Sequence, residues 1–283
     1  MKFTRACFLL ILLALVTISE SLRCAQLCAF IRIPINGSIP VNNTCKFIER
    51  DNSQCSVLVE IDHQKRVATG RLGIERCDNT DIRRVETIVK LNSALLSIIQ
   101  YTCKENGCDV DFLNHLFARV RDIPEVDTTS IKQNISDLVY NENVGISSIN
   151  CTSYRSCQIN DLCQAKFEIE DSLDDIFIQR NENITCYNPS TDDYLLNIKQ
   201  NYLPNNTQMT EMIFRCNLAN CIDNLSIVKE IYYLLEPNFI NQTFDPFVFN
   251  DTKPCMPIES IGTSFLFVSY GLINFATIFL LFY

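Results

Sequence analysis

The sequence has little of what catalysis requires. Only two histidines, His63 and His115, occur among 283 residues, and each stands alone in its neighbourhood. We expect a surface histidine on a hairpin tip at His63 and a helix histidine at His115, and neither is expected to act as a base or a ligand. The seven glycines form no P-loop or nucleotide-binding turn, and the G-x-S-x-G and H-E-x-x-H motifs are absent. The sequence therefore predicts a protein that is not an enzyme and has no cofactor or metal.

Positive charge is scarce as well. The chain has 24 Lys and Arg against 33 Asp and Glu, a formal net charge of -9. This balance, together with the secretory features described below, excludes nucleic acid as a partner. The densest acidic group lacks the spacing and glycine of an EF-hand calcium loop, so a solvated acidic hairpin tip is expected instead. Its members are Glu168, Glu170, Asp171, Asp174 and Asp175.

Cysteine, in contrast, is abundant, and its spacing is repeated. From Cys55 the chain reads C-x21-C-x25-C-x4-C, and from Cys163 it reads C-x22-C-x29-C-x4-C. The surrounding residues agree, since SQCSVLVEID corresponds to DLCQAKFEIED. A repeated cysteine frame is typical of a disulfide-bonded scaffold. The sequence predicts two tandem homologous modules that are small, disulfide-rich and mainly β, with short helical additions.

Residues 1–21 predict a secretory signal peptide. Lys2 and Arg5 precede an uncharged apolar run of 13 residues, which is shorter than the roughly 20 residues of a membrane-spanning helix. Cleavage near Ser19 or Ser21 removes Cys7 and leaves 14 of the 15 cysteines. An even number in an oxidising compartment fits a fully paired disulfide set.

Residues 258–283 predict attachment to a membrane. The 19 residues from Phe265 to Tyr283 carry no charge, and no Lys or Arg follows them. Because stop-transfer helices usually have a basic cytoplasmic flank, a signal for a glycosylphosphatidylinositol (GPI) anchor is favoured, with Ser260 as the attachment residue. A single transmembrane helix is the alternative. Both predictions place the protein on the outer face of the plasma membrane.

Nine N-x-S/T sequons support a cell-surface glycoprotein. None falls between Asn43 and Gln133, so one face of the first module is expected to be free of glycan. The acceptor asparagines are Asn36, Asn42, Asn134, Asn150, Asn183, Asn205, Asn224, Asn241 and Asn250.

The rest of the chain divides into module one, residues 22–122, and module two, residues 148–257. Residues 123–147 are polar and carry a sequon, and they predict a solvated linker. In each module an alternation of apolar and polar residues predicts a β-hairpin. The apolar positions are Val57, Val59, Ile61, Val67, Leu72 and Ile74 in module one and Ala165, Phe167, Ile169, Ile176 and Ile178 in module two.

Helical spacing of apolar residues predicts one helix over residues 85–99 and an amphipathic helix after each C-x4-C segment. The second module does not support the first of these helices, since Pro204 stands at the comparable place. The later helices follow Cys108 and Cys221.

These features resemble the three-finger domains of the lymphocyte-antigen and urokinase-receptor family. The resemblance rests on CSVLVEIDHQKRVATGRLGIERC with CKENGC, and on CQAKFEIEDSLDDIFIQRNENITC with CNLANC. It implies disulfide-rich β domains, in tandem and lipid-anchored, that bind proteins. The chain departs from the family pattern where Thr102 and Arg215 replace the first cysteine of a closing doublet, and where Asp109 and Ile222 replace a following Asn.

The resemblance also implies a disulfide pairing. It leaves over Cys28 and Cys255, which either bridge the start of module one to the end of module two or pair elsewhere. The implied pairs are Cys24 with Cys55, Cys45 with Cys77, Cys103 with Cys108, Cys151 with Cys163, Cys157 with Cys186 and Cys216 with Cys221.

The tips of the two hairpins differ in charge. His63, Lys65, Arg66 and Arg71 give the first tip a positive end within the sequon-free stretch, where it is a candidate contact for a protein partner. The alternative is that these residues pair with the acidic second tip or with water. We expect a non-enzymatic surface glycoprotein that binds a protein ligand, in adhesion or as a receptor. A protective coat glycoprotein without a specific ligand is the alternative function.

Overall fold

The computed structural model describes residues 21–235 with short interruptions. The expected signal peptide, Cys255, Ser260 and the apolar tail therefore lie outside the described residues. The same holds for the sequons at Asn42, Asn183, Asn205, Asn241 and Asn250. The interruptions are 39–44, 78–81, 91–94, 123–126, 142–148, 153–154, 159, 172–175, 181–183, 190–193 and 203–207.

The described elements are mostly strands, as the sequence predicts. The strands are β1 (Leu22–Gln26), β2 (Cys28–Pro34), β3 (Lys46–Arg50), β4 (Ser53–Asp62), β5 (Val67–Arg76), β6 (Arg83–Lys90), β7 (Leu95–Cys103), β8 (Ile149–Thr152), β9 (Arg155–Cys157), β10 (Leu162–Asp171), β11 (Ile176–Arg180), β12 (Thr185–Tyr187), β13 (Tyr194–Tyr202) and β14 (Gln208–Cys216). The helices are α1 (Cys108–Asp122), α2 (Thr128–Val139) and α3 (Leu225–Leu235).

Ten strands form one antiparallel sheet. Its order is β11-β10-β14-β13-β6-β7-β4-β5-β2, and β12 also pairs with β10. Two small sheets, β1-β3 and β8-β9, complete the described strands. The large sheet is continuous because β6 of the first half (residues 22–122) pairs with β13 of the second half (residues 127–235). We call this pairing the seam. From it, the order runs β6-β7-β4-β5 in one direction and β13-β14-β10-β11 in the other.

Both predicted hairpins are present, as β4-β5 and β10-β11. Val57, Val59 and Ile61 are buried, whereas the residues between them are more exposed, because successive side chains of a strand point to opposite faces. Gly70 permits close packing in β5. A Cβ atom there would lie 2.5 Å from the Phe30 ring, so a side chain at this position would displace β2.

The helix predicted over residues 85–99 is wrong. The segment contains β6 and the start of β7, which form a hairpin that pairs Val89 with Leu95. Burial along β6 alternates strictly from residue to residue, with Val85 and Thr87 inside. Val, Ile and Thr favour a pleated, half-buried strand of this kind. The alternation of buried and exposed residues was not recognised from the sequence, because the same apolar residues also fit the spacing of a helix.

The helices predicted after the C-x4-C segments are confirmed as α1 and α3. Phe112 and Leu116 of α1 are fully buried against the sheet, and Phe112 stacks on Tyr101 with ring centroids 4.1 Å apart. In the first turn, Asp109 accepts a hydrogen bond of 2.8 Å from the Ala25 N–H, which connects α1 to β1. Burial raises the pKa of the Asp109 carboxyl above its ordinary value.

The described part of residues 123–147 is not a solvated linker. It forms α2, whose N-terminus is capped by the carboxylate of Asp127. Ile131, Ile135 and Val139 lie at four-residue spacing and are buried in the core of the second half. Three apolar residues on one face are enough to dock a short helix, although the composition of the segment is polar.

Asn217 fastens the end of α2 to the sheet. Its side chain accepts a hydrogen bond from the Asn141 N–H (2.7 Å) and donates one to the Asn141 carbonyl (2.8 Å). Its own N–H donates to the Val139 carbonyl (3.1 Å). Asn217 is 7% exposed, so these bonds satisfy polar groups that water does not reach.

Two hydrophobic cores lie on the same face of the sheet. The first holds α1 against β4 and β7, and the second holds α2 and α3 against β10, β13 and β14. We call this side the inner face and the opposite side the outer face. Val89 and Leu95 come from the first half but belong to the second core. Packing therefore crosses the seam.

Five of the implied disulfides are confirmed and one is corrected. Cys45 is bonded to Cys28 and not to Cys77, so the predicted alternative in which Cys28 bridges to Cys255 is wrong. The pairing of Gln26 with Lys46 brings Cys45, which precedes β3, next to Cys28, which begins β2. The resemblance used only the order of the cysteines along the chain, and that order does not reveal the register of these strands. The confirmed pairs are Cys24 with Cys55, Cys103 with Cys108, Cys151 with Cys163, Cys157 with Cys186 and Cys216 with Cys221.

Candidate interaction surface

The outer face of the ten-stranded sheet mixes apolar and charged side chains. Leu58, Ile88, Ile98 and Ile213 point to this face, are half-buried and belong to neither core. Charged residues lie between them, among them an ion pair of Lys166 with Glu211 at 2.6 Å. None of the described helices contributes to a core on this side. Mixed apolar and polar character is what protein–protein interfaces usually have.

The sequons spare this surface. None of the nine falls within a described strand of the ten-stranded sheet. The four that the structure describes, Asn36, Asn134, Asn150 and Asn224, are all exposed, as glycosylation requires. Asn36 follows β2, Asn134 lies in α2, Asn150 lies in β8 and Asn224 precedes α3. These four asparagines therefore lie outside the strands that form the outer face.

The four residues of the predicted basic contact do not form one charged tip. His63 turns inward, with Nε2 2.8 Å from Ser97 Oγ. Burial lowers the pKa of His63 to about 4, against the attraction of Asp62 and with a smaller contribution from Arg66. Lys65 Nζ lies 2.9 Å from Asp62 Oδ2, so its charge is paired within its own hairpin.

The two arginines of that group lie apart. Arg66 sits in the β4-β5 turn with φ of 51°, and its carbonyl accepts a hydrogen bond of 3.0 Å from the Ile35 N–H. Arg71 lies further along β5, exposed on the outer face. The acidic tip of the second hairpin lies largely outside the described residues.

Arg71 lines a groove on the outer face of the first half. The cavity measures about 430 Å³ and runs across β5, β4 and β7. Gly73 contributes no side chain to it, which leaves a gap between neighbouring side chains of β5. The side chains that line this groove belong to Ser56, Leu58, Arg71, Glu75, Ile82, Gln100 and Thr102.

The corresponding place in the second half is filled. Gln164 lies opposite Arg215, as Ser56 lies opposite Thr102, and each pair directly follows or precedes a frame cysteine. The Arg215 guanidinium lies 3.4 Å from the centroid of the Tyr187 ring and 3.9 Å from that of Tyr194. Its Nε donates a hydrogen bond of 2.8 Å to Gln164 Oε1.

Sequence reasoning noted Thr102 and Arg215 only as departures from a family pattern. It missed Gly73 and Glu75 as candidate site residues. A glycine within a strand often marks a close approach of a ligand or another chain, and that signal was present in the sequence.

The seam carries its own polar contacts on the outer face. Asn197 Nδ2 donates a hydrogen bond of 2.6 Å to Glu86 Oε1, and Arg84 Nε donates one of 2.8 Å to Asn201 Oδ1. Lys199 lies directly opposite Glu86 in the register of β13 with β6. Side chains from both halves therefore meet on a single surface.

Among the described residues there are three groups of cysteines in each of which the sulfurs lie within 4.8 Å of one another, a separation that also suits metal ligands. Each of these cysteines is in a disulfide. Metal coordination requires thiolates, which a disulfide does not provide. The groups arise because disulfides stack next to each other, as Cys24–Cys55 does with Cys103–Cys108.

The chain matches no protein-family model, no curated protein and no solved structure. Among the described residues, no helix is both long and apolar enough to cross a membrane.

Proposed function

We propose that the protein is a non-enzymatic cell-surface glycoprotein that binds a protein partner through the outer face of its sheet. One observation carries the proposal: the ten-stranded sheet has the described helices on one side, and among the described residues its other side is left uncovered, with no sequon in its strands and a mixed apolar and charged surface. Secretion and membrane attachment, expected from residues 1–21 and 258–283, would present this surface to other cells or to soluble ligands.

We infer further that the two halves are tandem homologous modules. The strand order is mirrored about the seam. In both halves a C-x4-C segment contains a residue of positive φ, Gly107 or Asn220, whose N–H donates to the residue before the cysteine that is bonded to the first frame cysteine. The acceptors are the carbonyls of Arg23 and Asn150, each 2.9 Å away. Matching of this detail supports duplication more strongly than cysteine spacing alone.

The three-finger resemblance is part of the same proposal. Its support is the order β5-β4-β7 in the first half, in which the first strand of the β4-β5 hairpin pairs with the second strand of the next hairpin, beside the separate β1-β3 pair. The extra strand β6 and the helix α1 are additions to that pattern. Protein binding is the function that the resemblance implies.

Fewer of the four predicted basic residues remain for contact with a partner. Lys65 is paired and His63 is turned inward, so Arg66 and Arg71 are the members of the group that remain for a partner contact. Of these two, Arg71 lies on the outer face, where it extends the proposed binding surface towards the hairpin tip.

Engineered glycans test the proposal directly. Leu58→Asn with Glu60→Thr creates a sequon on the outer face of the first half, and Glu168→Asn with Glu170→Thr creates one on the second. Cells that display the full chain are labelled by proximity biotinylation, and the surface proteins around each variant are compared by mass spectrometry. We expect specific neighbours of the wild type to be lost when either face carries a glycan.

Asp51→Asn is the matched control. With the native Asn52 and Ser53 that follow it, the substitution completes an N-x-S sequon in the exposed β3-β4 turn, away from the face. Neighbours retained by the control and lost from the face variants identify the partner. If every neighbour survives in all variants, the binding function is wrong and the protective coat becomes the better explanation.

A further inference from the structure

One site in the fold is closed in the second half and open in the first. In both halves it is built around the residue after the frame cysteine of the central strand, Ser56 or Gln164. Ser56 lies opposite Gly73 and Thr102, and Gln164 lies opposite Thr185 and Arg215. The two sites can therefore be compared position by position.

The second half shows what this site holds when it is filled. The Arg215 guanidinium lies over two aromatic rings, those of Tyr187 and Tyr194, and is bonded to Gln164. Arg215 is 5% exposed, so its charge is largely removed from water. Arginine tolerates such a setting because its planar guanidinium stacks on rings and is weakly hydrated.

The first half lacks these internal occupants. Thr102 replaces the arginine, Gly73 replaces Thr185, and the open groove of about 430 Å³ is present instead. Glu75 stands where the second half has Tyr187, since Gln54 lies opposite Glu75 as Leu162 lies opposite Tyr187. Glu75 is exposed, and none of the ion pairs found among the described residues includes it.

Gln54 lies opposite Glu75 in the register of β4 with β5, although it does not itself line the groove. Gln54 is 1% exposed, and within the described part of the chain its Oε1 atom has no hydrogen-bond partner. A buried acceptor without a donor is costly unless a donor arrives from elsewhere. A guanidinium provides five N–H donors in one plane, which suits a two-bond contact with the carboxylate of Glu75.

We propose that the groove binds the side chain of an arginine that a protein partner presents, with Glu75 as its counter-charge. The proposal rests on the binding function proposed above and names the chemistry of the partner. Leu58 and Ile82 supply apolar contact for the methylene stem, while the head reaches the acidic end of the groove. Arg71, four residues from Glu75 and about 13 Å along the strand, keeps a second cationic group away from the opposite end.

Saturation-transfer difference NMR tests the site with the full-length chain in nonionic detergent micelles and Nα-acetyl-arginine amide as the probe. A ligand of this size is expected to bind with a dissociation constant on the order of 1 mM. We expect transfer to the arginine methylenes in the wild type. Transfer should be at least fivefold weaker for Nα-acetyl-citrulline amide, which has the same shape without the charge.

Two substitutions locate the site. Glu75→Gln removes the counter-charge, and Gly73→Thr fills the gap as Thr185 does in the second half; a Cβ at position 73 lies 3.3 Å from Ser56 Oγ. Both should reduce transfer at least fivefold. Glu168→Gln, an exposed glutamate on the outer face of the second half, is the control and should leave transfer unchanged.

Equal transfer in Glu75→Gln and Glu168→Gln would overturn the proposal. So would transfer to the citrulline analogue equal to that of the arginine probe, or the absence of transfer in the wild type at 10 mM probe. Because Glu75 is exposed, its substitution does not endanger folding, so the test stands even if Gly73→Thr unfolds. A negative result here with partner loss in the glycan experiment would remove the arginine site and leave the binding function intact.

Discussion

Glu86 and Lys199 lie directly opposite each other across the seam, and they occupy corresponding positions in the two halves. Glu86 pairs with Ile98 and Lys199 pairs with Glu211, each five residues before the cysteine that ends its strand. An antiparallel contact in which corresponding residues meet has the geometry of an isologous dimer interface. Two identical halves would place like charges at this point. The chain places opposite charges there, which favours pairing of the two different halves.

Reversing one of these charges should therefore weaken the seam. We expect Lys199→Glu to lower the free energy of unfolding by about 1 kcal/mol, because like charges then lie opposite each other. Adding Glu86→Lys should restore part of that loss, because it relieves the repulsion across the seam while the glutamate introduced at position 199 still lies opposite Glu211. Urea unfolding of the non-reduced protein at low salt measures all four states of this double-mutant cycle.

Lys46→Glu, on exposed β3 and away from the seam, controls for the change in net charge. Additive losses in the double variant, without recovery, would mean that the pair does not specify the seam.

His63 should make the fold sensitive to mild acid. Burial holds the pKa of His63 at about 4 in the folded chain, whereas the unfolded chain takes up the proton near 6.5. Between these values the unfolded state binds more protons, so stability falls as the pH falls from 6.5 to 4. The loss is at most about 3 kcal/mol. The raised pKa of Asp109 acts in the opposite sense, nearer the acid end.

Unfolding free energies measured from pH 7 to pH 4 check this prediction. His63→Gln keeps a hydrogen-bonding partner for Ser97 and removes the titration, so its profile should be flatter. His115→Gln, on the exposed side of α1, is the matched control and should follow the wild type. A wild-type profile without a slope in this range would contradict the inward placement of His63.

Strand hairpins and terminal helices were predictable from local pattern, whereas the seam was not. Alternation in β4 and β10 and the amphipathic stretches after each C-x4-C segment are local signals, and both were interpreted correctly. In β6 the same alternation lay within a run of apolar residues at helical spacing. The pairing of β6 with β13 stabilises this segment as a strand. A local sequence pattern cannot reveal that pairing, because it brings together residues 111 positions apart, such as Glu86 and Asn197.

The candidate site was predicted only in outline. Charge placement pointed to the first module and to Arg71, but charge counting does not reveal that Asp62 neutralises Lys65 or that His63 bonds Ser97. The groove depends on what is missing at Gly73 and on a comparison with Arg215, which needs the register of both halves. The sequence alone gives the residues of such a site but not which of them lie opposite one another in the sheet.

Attachment to the membrane is open to an enzymatic test. We expect phosphatidylinositol-specific phospholipase C to release the protein from cells, because small residues around Ser260 precede the uncharged run of residues 265–283. Ser260→Phe should lower the amount of releasable protein, since the attachment site requires a small side chain. Glu259→Gln is the neighbouring control. Protein that stays in the membrane after complete digestion, with the peptide of Tyr283 still detectable, would support a transmembrane helix instead.

A further disulfide should join Cys77, which follows β5, to Cys255, which lies outside the described residues. If the predicted signal peptide is cleaved with Cys7, fourteen cysteines remain, and the six described disulfides account for twelve of them. Cys77 is also disulfide-bonded. Because Cys255 is the mature cysteine left without an assigned partner, we predict a bond between Cys77 and Cys255.

Mass spectrometry of non-reduced, deglycosylated peptides should recover Cys77 linked to Cys255 and Cys28 linked to Cys45. Such a bond closes a loop of almost 180 residues that includes the seam, and the chain-entropy model gives about 5 kcal/mol for a loop of this length. Replacing both Cys77 and Cys255 with serine should therefore lower the free energy of unfolding by up to that amount without separating β6 from β13. Recovery of Cys45 linked to Cys77, with Cys28 linked to Cys255, would instead restore the pairing that the three-finger resemblance implies.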